Sequence, residues 1–130
     1  MITKKEFEKA INEMVTNKDS GVWYCPLQTL ENGEELYLVL GWEEGYDKGE
    51  KYQQEVDGTI YTLCGKVAVN IDDLQCDYDV DWYMPYSEDG DVYDTNTAIM
   101  DADDLDFFVG EAKMIAEMMN KGELKIERRA

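Results

Sequence analysis

No histidine occurs anywhere in the chain. Its absence removes the commonest general base, the commonest metal ligand and every Ser-His or Cys-His nucleophile pair. Cysteine is scarce and odd in number. Cys25, Cys64 and Cys76 are widely spaced without a C-x-x-C pair, so neither a complete disulfide framework nor a four-ligand zinc site follows. Buried free thiols in a reducing cytoplasm are the expectation. No Walker loop, G-x-S-x-G elbow or dinucleotide fingerprint is present. No apolar run approaches membrane-spanning length, and the opening Met1-Ile2-Thr3-Lys4-Lys5-Glu6 turns acidic where a signal peptide would begin its apolar region. A cytoplasmic location is therefore expected.

Basic residues are also few. Twelve lysines and arginines face thirty acids, for a formal charge of −18. That balance disfavours direct binding to nucleic acid or to an anionic membrane and points to a cationic partner. The apolar content is ordinary by contrast: 44% hydrophobic and 12% aromatic residues suffice to offset chain entropy. With 130 residues and 15.0 kDa, the chain has the size of one α+β domain spanning 1–130.

The order of elements follows from periodicity and turn chemistry. Thr3-Lys4-Lys5-Glu6 has the spacing of a capping box, and Phe7, Ile11, Met14 and Val15 recur on one face, which predicts a helix over about residues 4 to 17. Val22 to Leu30 and Glu35 to Trp42 are rich in strand formers and flank Asn32-Gly33, a tight hairpin signal. Leu36, Leu38, Leu40 and Trp42 share one face of the second strand and Tyr37 and Val39 the other, as in a central strand. Asp57-Gly58 marks a second hairpin between Lys51 to Val56 and Thr59 to Asn70, with Gly65 as a bulge. Gln75 to Tyr86 alternates, with Cys76, Tyr78, Val80, Trp82 and Met84 toward the core and Asp77, Asp79, Asp81 and Tyr83 toward water or a partner. Asp89-Gly90 then turns into a last strand over Asp91 to Ile99. Leu105, Phe108, Val109, Ala112, Ile115, Ala116 and Met119 form the stripe of a second helix ending at Asn120-Lys121-Gly122. The predicted fold is a meander-like antiparallel sheet of five or six strands, with an N-terminal and a C-terminal helix on one face.

Charge is distributed unevenly. Residues 71 to 111 hold fourteen acids and no lysine or arginine. Alternate residues of a strand point the same way about 6.6 Å apart, so Asp77, Asp79 and Asp81 form a ladder of negative charge. Duplex phosphates recur at roughly 3.4 Å along the axis and more widely along the sloping backbone, a comparable spacing. Glu88, Asp89, Asp91 and Asp94 follow through a hairpin and would supply a second row about 4.8 Å from the first. Tyr83 and Tyr86 flank this face and are suited to anchor a protein partner. The plainer account is a solvated surface that blunts sheet edges, with Asp101 to Asp106 complementing the positive end of a helix dipole.

Competing chemistries fit less well. Asp77-x-Asp79-x-Asp81 with Glu88 at the twelfth position has the spacing of a calcium loop, but its sixth position is Trp82 rather than glycine. A looser Mg²⁺ or Ca²⁺ site around Asp89, Asp91 and Asp94 needs only oxygen ligands. Glu111-Ala112-Lys113 and Glu123-Leu124-Lys125 echo an E-x-K nuclease element at a length expected by chance. Base stacking by the aromatics would require a positive groove, which the composition does not offer.

The expectation is a non-enzymatic protein with no cofactor and no metal. It would bind the basic surface of a nucleic-acid-binding enzyme through Asp77, Asp79, Asp81, Tyr83, Tyr86, Glu88, Asp89, Asp91 and Asp94. In size and charge the chain resembles the small acidic DNA-mimicking inhibitors carried by mobile elements, including antirestriction and anti-CRISPR proteins. The alternative is an accessory interaction domain, for instance a homodimer through an exposed sheet edge.

Overall fold

The computed structural model describes residues 2–17, 22–42, 56–64 and 81–126. The first helix, α1 (Lys4–Asn17), starts where the capping box places it. The Glu6 amide donates to Thr3 Oγ1 at 3.2 Å, and the Thr3 amide donates back to Glu6 Oε1 at 3.4 Å. Two orphan donors of the first turn are thereby satisfied. Phe7, Ala10 and Met14 are buried on one face, with Ile11 and Val15 partly buried beside them.

Strands β1 (Val22–Thr29) and β2 (Glu35–Trp42) form the expected hairpin, with Gly33 at φ 91° in its turn. The Glu31 amide donates to Asn120 Oδ1 at 3.1 Å, which fastens this turn to the far end of the second helix. β2 lies between β1 and β3 (Val56–Cys64), and its Leu36, Leu38 and Leu40 are fully buried.

Asp57-Gly58 is not a hairpin turn. It lies inside β3, opposite Gly41 and Leu40 of β2. The glycine answers a packing demand instead. A Cβ on Gly58 would sit 2.5 Å from Cζ and 2.9 Å from Cε2 of the fully buried Phe108, so the aromatic ring occupies the space a side chain would need. Positive φ among the described glycines is confined to Gly33, Gly90 and Gly122.

The antiparallel α+β class holds, and the expectation of five or six strands is corrected among the described residues. Among the described residues a four-strand path, β1-β2-β3-β4, is all antiparallel, with β4 at Asp81–Tyr83. The single strand expected over Gln75 to Tyr86 is interrupted at the buried Pro85, and Tyr86–Ser87 form β5 in a separate two-stranded sheet with β7 (Leu124–Lys125). Proline lacks the amide that a continuing ladder would use. The expected last strand, Asp91 to Ile99, is reduced to a bridge at Val92 and the two-residue β6 (Thr97–Ala98). Lys51 to Glu55, the Gly65 bulge and the part of the fifth run before Asp81 lie outside the described residues.

One edge of β3 is therefore covered piecewise. β4 pairs with Thr62 to Cys64, and β6 pairs with Asp57 and Gly58. Between them the Ile60 amide donates to the hydroxyl of buried Thr95 at 2.7 Å. A side chain thus substitutes for a strand at the gap, as a buried N–H requires.

The second helix, α2 (Asp104–Asn120), buries Leu105, Phe108, Ala112, Ile115 and Ala116. It ends as its sequence predicts: Glu123 N–H donates to the Met118 carbonyl at 2.9 Å and Gly122 N–H to that of Met119 at 3.0 Å, with Gly122 at φ 79°. Phe7 and Met14 from α1, Leu36, Leu38 and Leu40 from β2, and Phe108 and Ile115 from α2 belong to one buried cluster, so both helices cover the same face of the sheet. Among the described residues no helix is long and apolar enough to cross a membrane.

Candidate functional site

The acidic residues expected to act together are distributed over three different contexts. Asp77 and Asp79 lie outside the described residues. Asp81 opens β4 at the register of Cys64. Tyr83 takes the register of Thr62, whose own partner in β2 is the buried Leu36. Directly paired residues share a face, so Tyr83 is turned to the helix side of the sheet and is half-buried there. Its expected place on the outward face is corrected: alternation predicted which residues share a face, but the register with β3 decides which face that is.

Glu88, Asp89, Asp91 and Asp94 follow one another in and just after a single turn, rather than forming a strand row beside β4. Glu88 and Asp89 occupy the turn after β5, where Gly90 has φ 87°. The Ser87 amide donates to the Asp91 carbonyl at 2.8 Å, and the Gly90 amide donates to that of Ser87 at 2.9 Å. Tyr86 is half-buried, bridges Val92 and pairs with Lys125 of β7. Asp94 accepts from the Asn96 amide at 2.8 Å and holds the following segment in place. All four carboxylates are exposed. Lys125 approaches Glu88 at 3.8 Å, while Asp89, Asp91 and Asp94 have no ion pair among the described residues.

This turn is fixed against the body of the protein. Tyr93 follows Val92, donates its hydroxyl to Glu111 Oε2 at 3.0 Å, and so ties the segment to the middle of α2. Burial first, and then the Glu111 carboxylate, raise the Tyr93 phenol above its ordinary range.

A second acidic group orders the segment that leads into α2. Asp104 Oδ2 accepts the Met100 and Asp101 amides at 2.6 and 3.1 Å, and Asp101 Oδ1 accepts the Asp103 amide at 2.8 Å. Lys4 reaches across from α1 to Asp106 at 2.8 Å and Asp103 at 3.1 Å. Those two carboxylates, Asp106 foremost, raise the Lys4 ammonium above its usual value. The stretch without basic residues in sequence therefore receives cations in space from both chain ends, through Lys4 and Lys125. Linear charge counting gave no signal of either contact.

Metal and catalytic alternatives gain no geometry. Among the described residues no three carboxylate or thiol groups stand close enough to hold a metal ion, Asp89, Asp91 and Asp94 included. Glu111 of the first E-x-K match is bonded to Tyr93, and Lys125 of the second lies beside Glu88. Cys25 is buried and free, and burial pushes its thiol up to about 12 from an ordinary 9.0. Burial, with Glu35 beside it, also raises Tyr37 to about 12. Both groups are held protonated by the fold, so their stabilising effect is complete below about pH 9 and is lost as pH rises toward 12. Iodoacetamide labelling at pH 8, read at the Cys25 peptide, is expected to be slow in native protein and fast in denaturant. Rapid native labelling would contradict the buried placement of that thiol.

Sequence reasoning missed a further surface feature. Phe107 and Met114, seven residues apart and outside the buried stripe of α2, are 44% and 41% exposed. Their spacing places them on one helical face, a signal present in the sequence but masked by the stronger stripe beside it. Compared with protein family models, curated proteins and solved structures, the chain matches none.

Proposed function

We propose that this protein acts without catalytic chemistry of its own, by binding the basic surface of a nucleic-acid-binding enzyme in the manner of a DNA mimic. The observation that carries the reading is the turn at Glu88, Asp89, Asp91 and Asp94, four exposed carboxylates with one ion pair among the described residues, held on a frame anchored to α2. A fixed cluster of one sign attracts a cationic groove over distance and enters it without first having to order itself. The net charge of −18 adds long-range steering to the same end. A homodimer through a sheet edge is the weaker reading, because the outermost strand β1 carries the exposed Pro26 and a break in register between Pro26 and Gln28. Both features resist edge pairing.

The test is affinity capture from a host lysate at low salt, using the parent, an Asp89→Asn/Asp91→Asn/Asp94→Asn variant and an Asp77→Asn/Asp79→Asn/Asp81→Asn variant. A nucleic-acid enzyme is expected on the parent, released by added DNA and by a salt step, and lost from at least one variant. The Asp89, Asp91 and Asp94 changes lie on exposed positions and should alter stability by no more than about 0.5 kcal/mol. Capture that is indifferent to both triple changes and survives high salt would overturn the acidic-face reading, because apolar contacts are not screened.

A further inference from the structure

The exposed face of α2 between Phe107 and Met118 contains a glycine that no contact among the described residues explains. Gly110 is in the helix interior, where glycine is less favourable than alanine. Unlike Gly58, it has open space around it: an added Cβ would meet nothing within 4 Å. It lies three residues after Phe107 and four before Met114, so these three share one face, with the half-buried Met118 continuing it by a further turn. The face has a large aromatic at one end, flexible methionines at the other and, between them, a residue without a side chain. A helix laid across it can bring its backbone close at Gly110 while its apolar residues pack on the flanks.

From this arrangement we infer that the Phe107–Gly110–Met114 face of α2 receives a cationic amphipathic helix of the partner protein. The inference rests on the acidic-face reading and specifies how that partner is held. The choice of occupant follows from charge. Glu111 falls between Phe107 and Met114 on the flank that accepts the Tyr93 hydroxyl, and beyond Tyr93 stands the turn bearing Glu88, Asp89, Asp91 and Asp94. Apolar side chains over Phe107 and Met114 would therefore have acids along one border, matching lysine or arginine on one side of the incoming helix. A second copy of this chain is a poor occupant, since each copy brings a charge of −18.

Two synthetic peptides test this: a leucine–lysine peptide with helical period, and a glycine–lysine peptide of the same length and charge. Binding would be followed by titration calorimetry and by NMR of the methionine methyls and backbone amides. The leucine–lysine peptide is expected to bind, to shift the Met114 and Met118 methyls and the Phe107 amide, and to bind at least about tenfold more weakly to Phe107→Glu. Met114→Glu, away from the edge-on contact between the Phe107 and Phe108 rings, serves the same purpose if Phe107→Glu fails to fold. Gly110→Ala carries a distinctive signature: a higher Tm for the free protein and weaker peptide binding. If both peptides bind equally and perturb only the amides of residues 88–94, the helix-face inference is overturned while the acidic reading stands. If the leucine–lysine peptide binds the Asp89→Asn/Asp91→Asn/Asp94→Asn variant undiminished, the cationic occupant is overturned. If neither peptide binds, both readings fail.

Discussion

Phe108→Ala is expected to lower the unfolding free energy by about 3–5 kcal/mol, the range for removing a fully enclosed aromatic. The ring is 0% exposed and lies directly over Gly58 of β3. Gly58→Ala attacks the same contact from the other side. Its methyl would fall 2.5 Å from the ring edge, and the ring has no route of escape because it is enclosed in the core cluster. Overpacking of this kind costs about 1–3 kcal/mol. The two changes should therefore be strongly non-additive, since a smaller residue at position 108 leaves room for the new methyl. Denaturant unfolding of the parent, Gly58→Ala, Phe108→Leu and the double variant closes the cycle, with a coupling of about 1 kcal/mol or more expected. Additive costs would show that Gly58 is not held by the aromatic ring.

Thr95→Val should cost about 1–3 kcal/mol, although it changes shape very little. Its hydroxyl is the acceptor for the Ile60 amide in the gap between β4 and β6, and both residues are buried. Valine fills the volume and leaves that amide without a partner, so the loss is the desolvation of one N–H rather than a cavity. Thr97→Val is the control. Its hydroxyl donates to the Thr95 carbonyl at 2.9 Å from a half-buried position, so a smaller loss is expected. Hydrogen exchange at the Ile60 amide separates the two, since protection should fall in Thr95→Val and persist in Thr97→Val. Equal protection in both would place the role of Thr95 elsewhere.

These two contacts also show where sequence reading stops. Gly58 is preceded by aspartate, and Asp-Gly is a strong hairpin dipeptide. The same glycine is equally required where an aromatic ring presses on a strand, and Phe108 is fifty residues away in the chain. Local chemistry cannot separate the two uses. Thr95 lies in an Asp-Thr-Asn-Thr stretch whose composition suits an edge strand or a turn, and its function depends on a gap that exists only once β4 and β6 have each paired with part of β3.

The candidate site divides in the same way. The run of fourteen acids without a basic residue was visible in the sequence, as was the turn at Asp89-Gly90. The place of Asp101 to Asp106 at a helix start is legible too, because a helix dipole acts within one turn. Lys4 and Lys125 were not, since they reach the acidic zone from opposite ends of the chain. The direction of Tyr83 is not legible in the sequence because alternation is symmetric, and only pairing with a strand whose faces are already assigned breaks that symmetry.

By itself, the sequence determined the features that depend on neighbours within a few residues. These are both helices and their ends, the hairpin at Asn32-Gly33, the buried alternation of β2, and a strongly acidic composition. Tertiary structure alone decided where β5 and β6 begin and end, why Gly58 is glycine, which described acids receive a counter-ion, and which α2 side chains are exposed. Caps, turns and periodicity are satisfied by short-range geometry that every local segment carries with it. Register, ring contacts and ion pairs depend on which distant segments meet, and that is settled only when the whole chain finds a common way to bury its apolar surface.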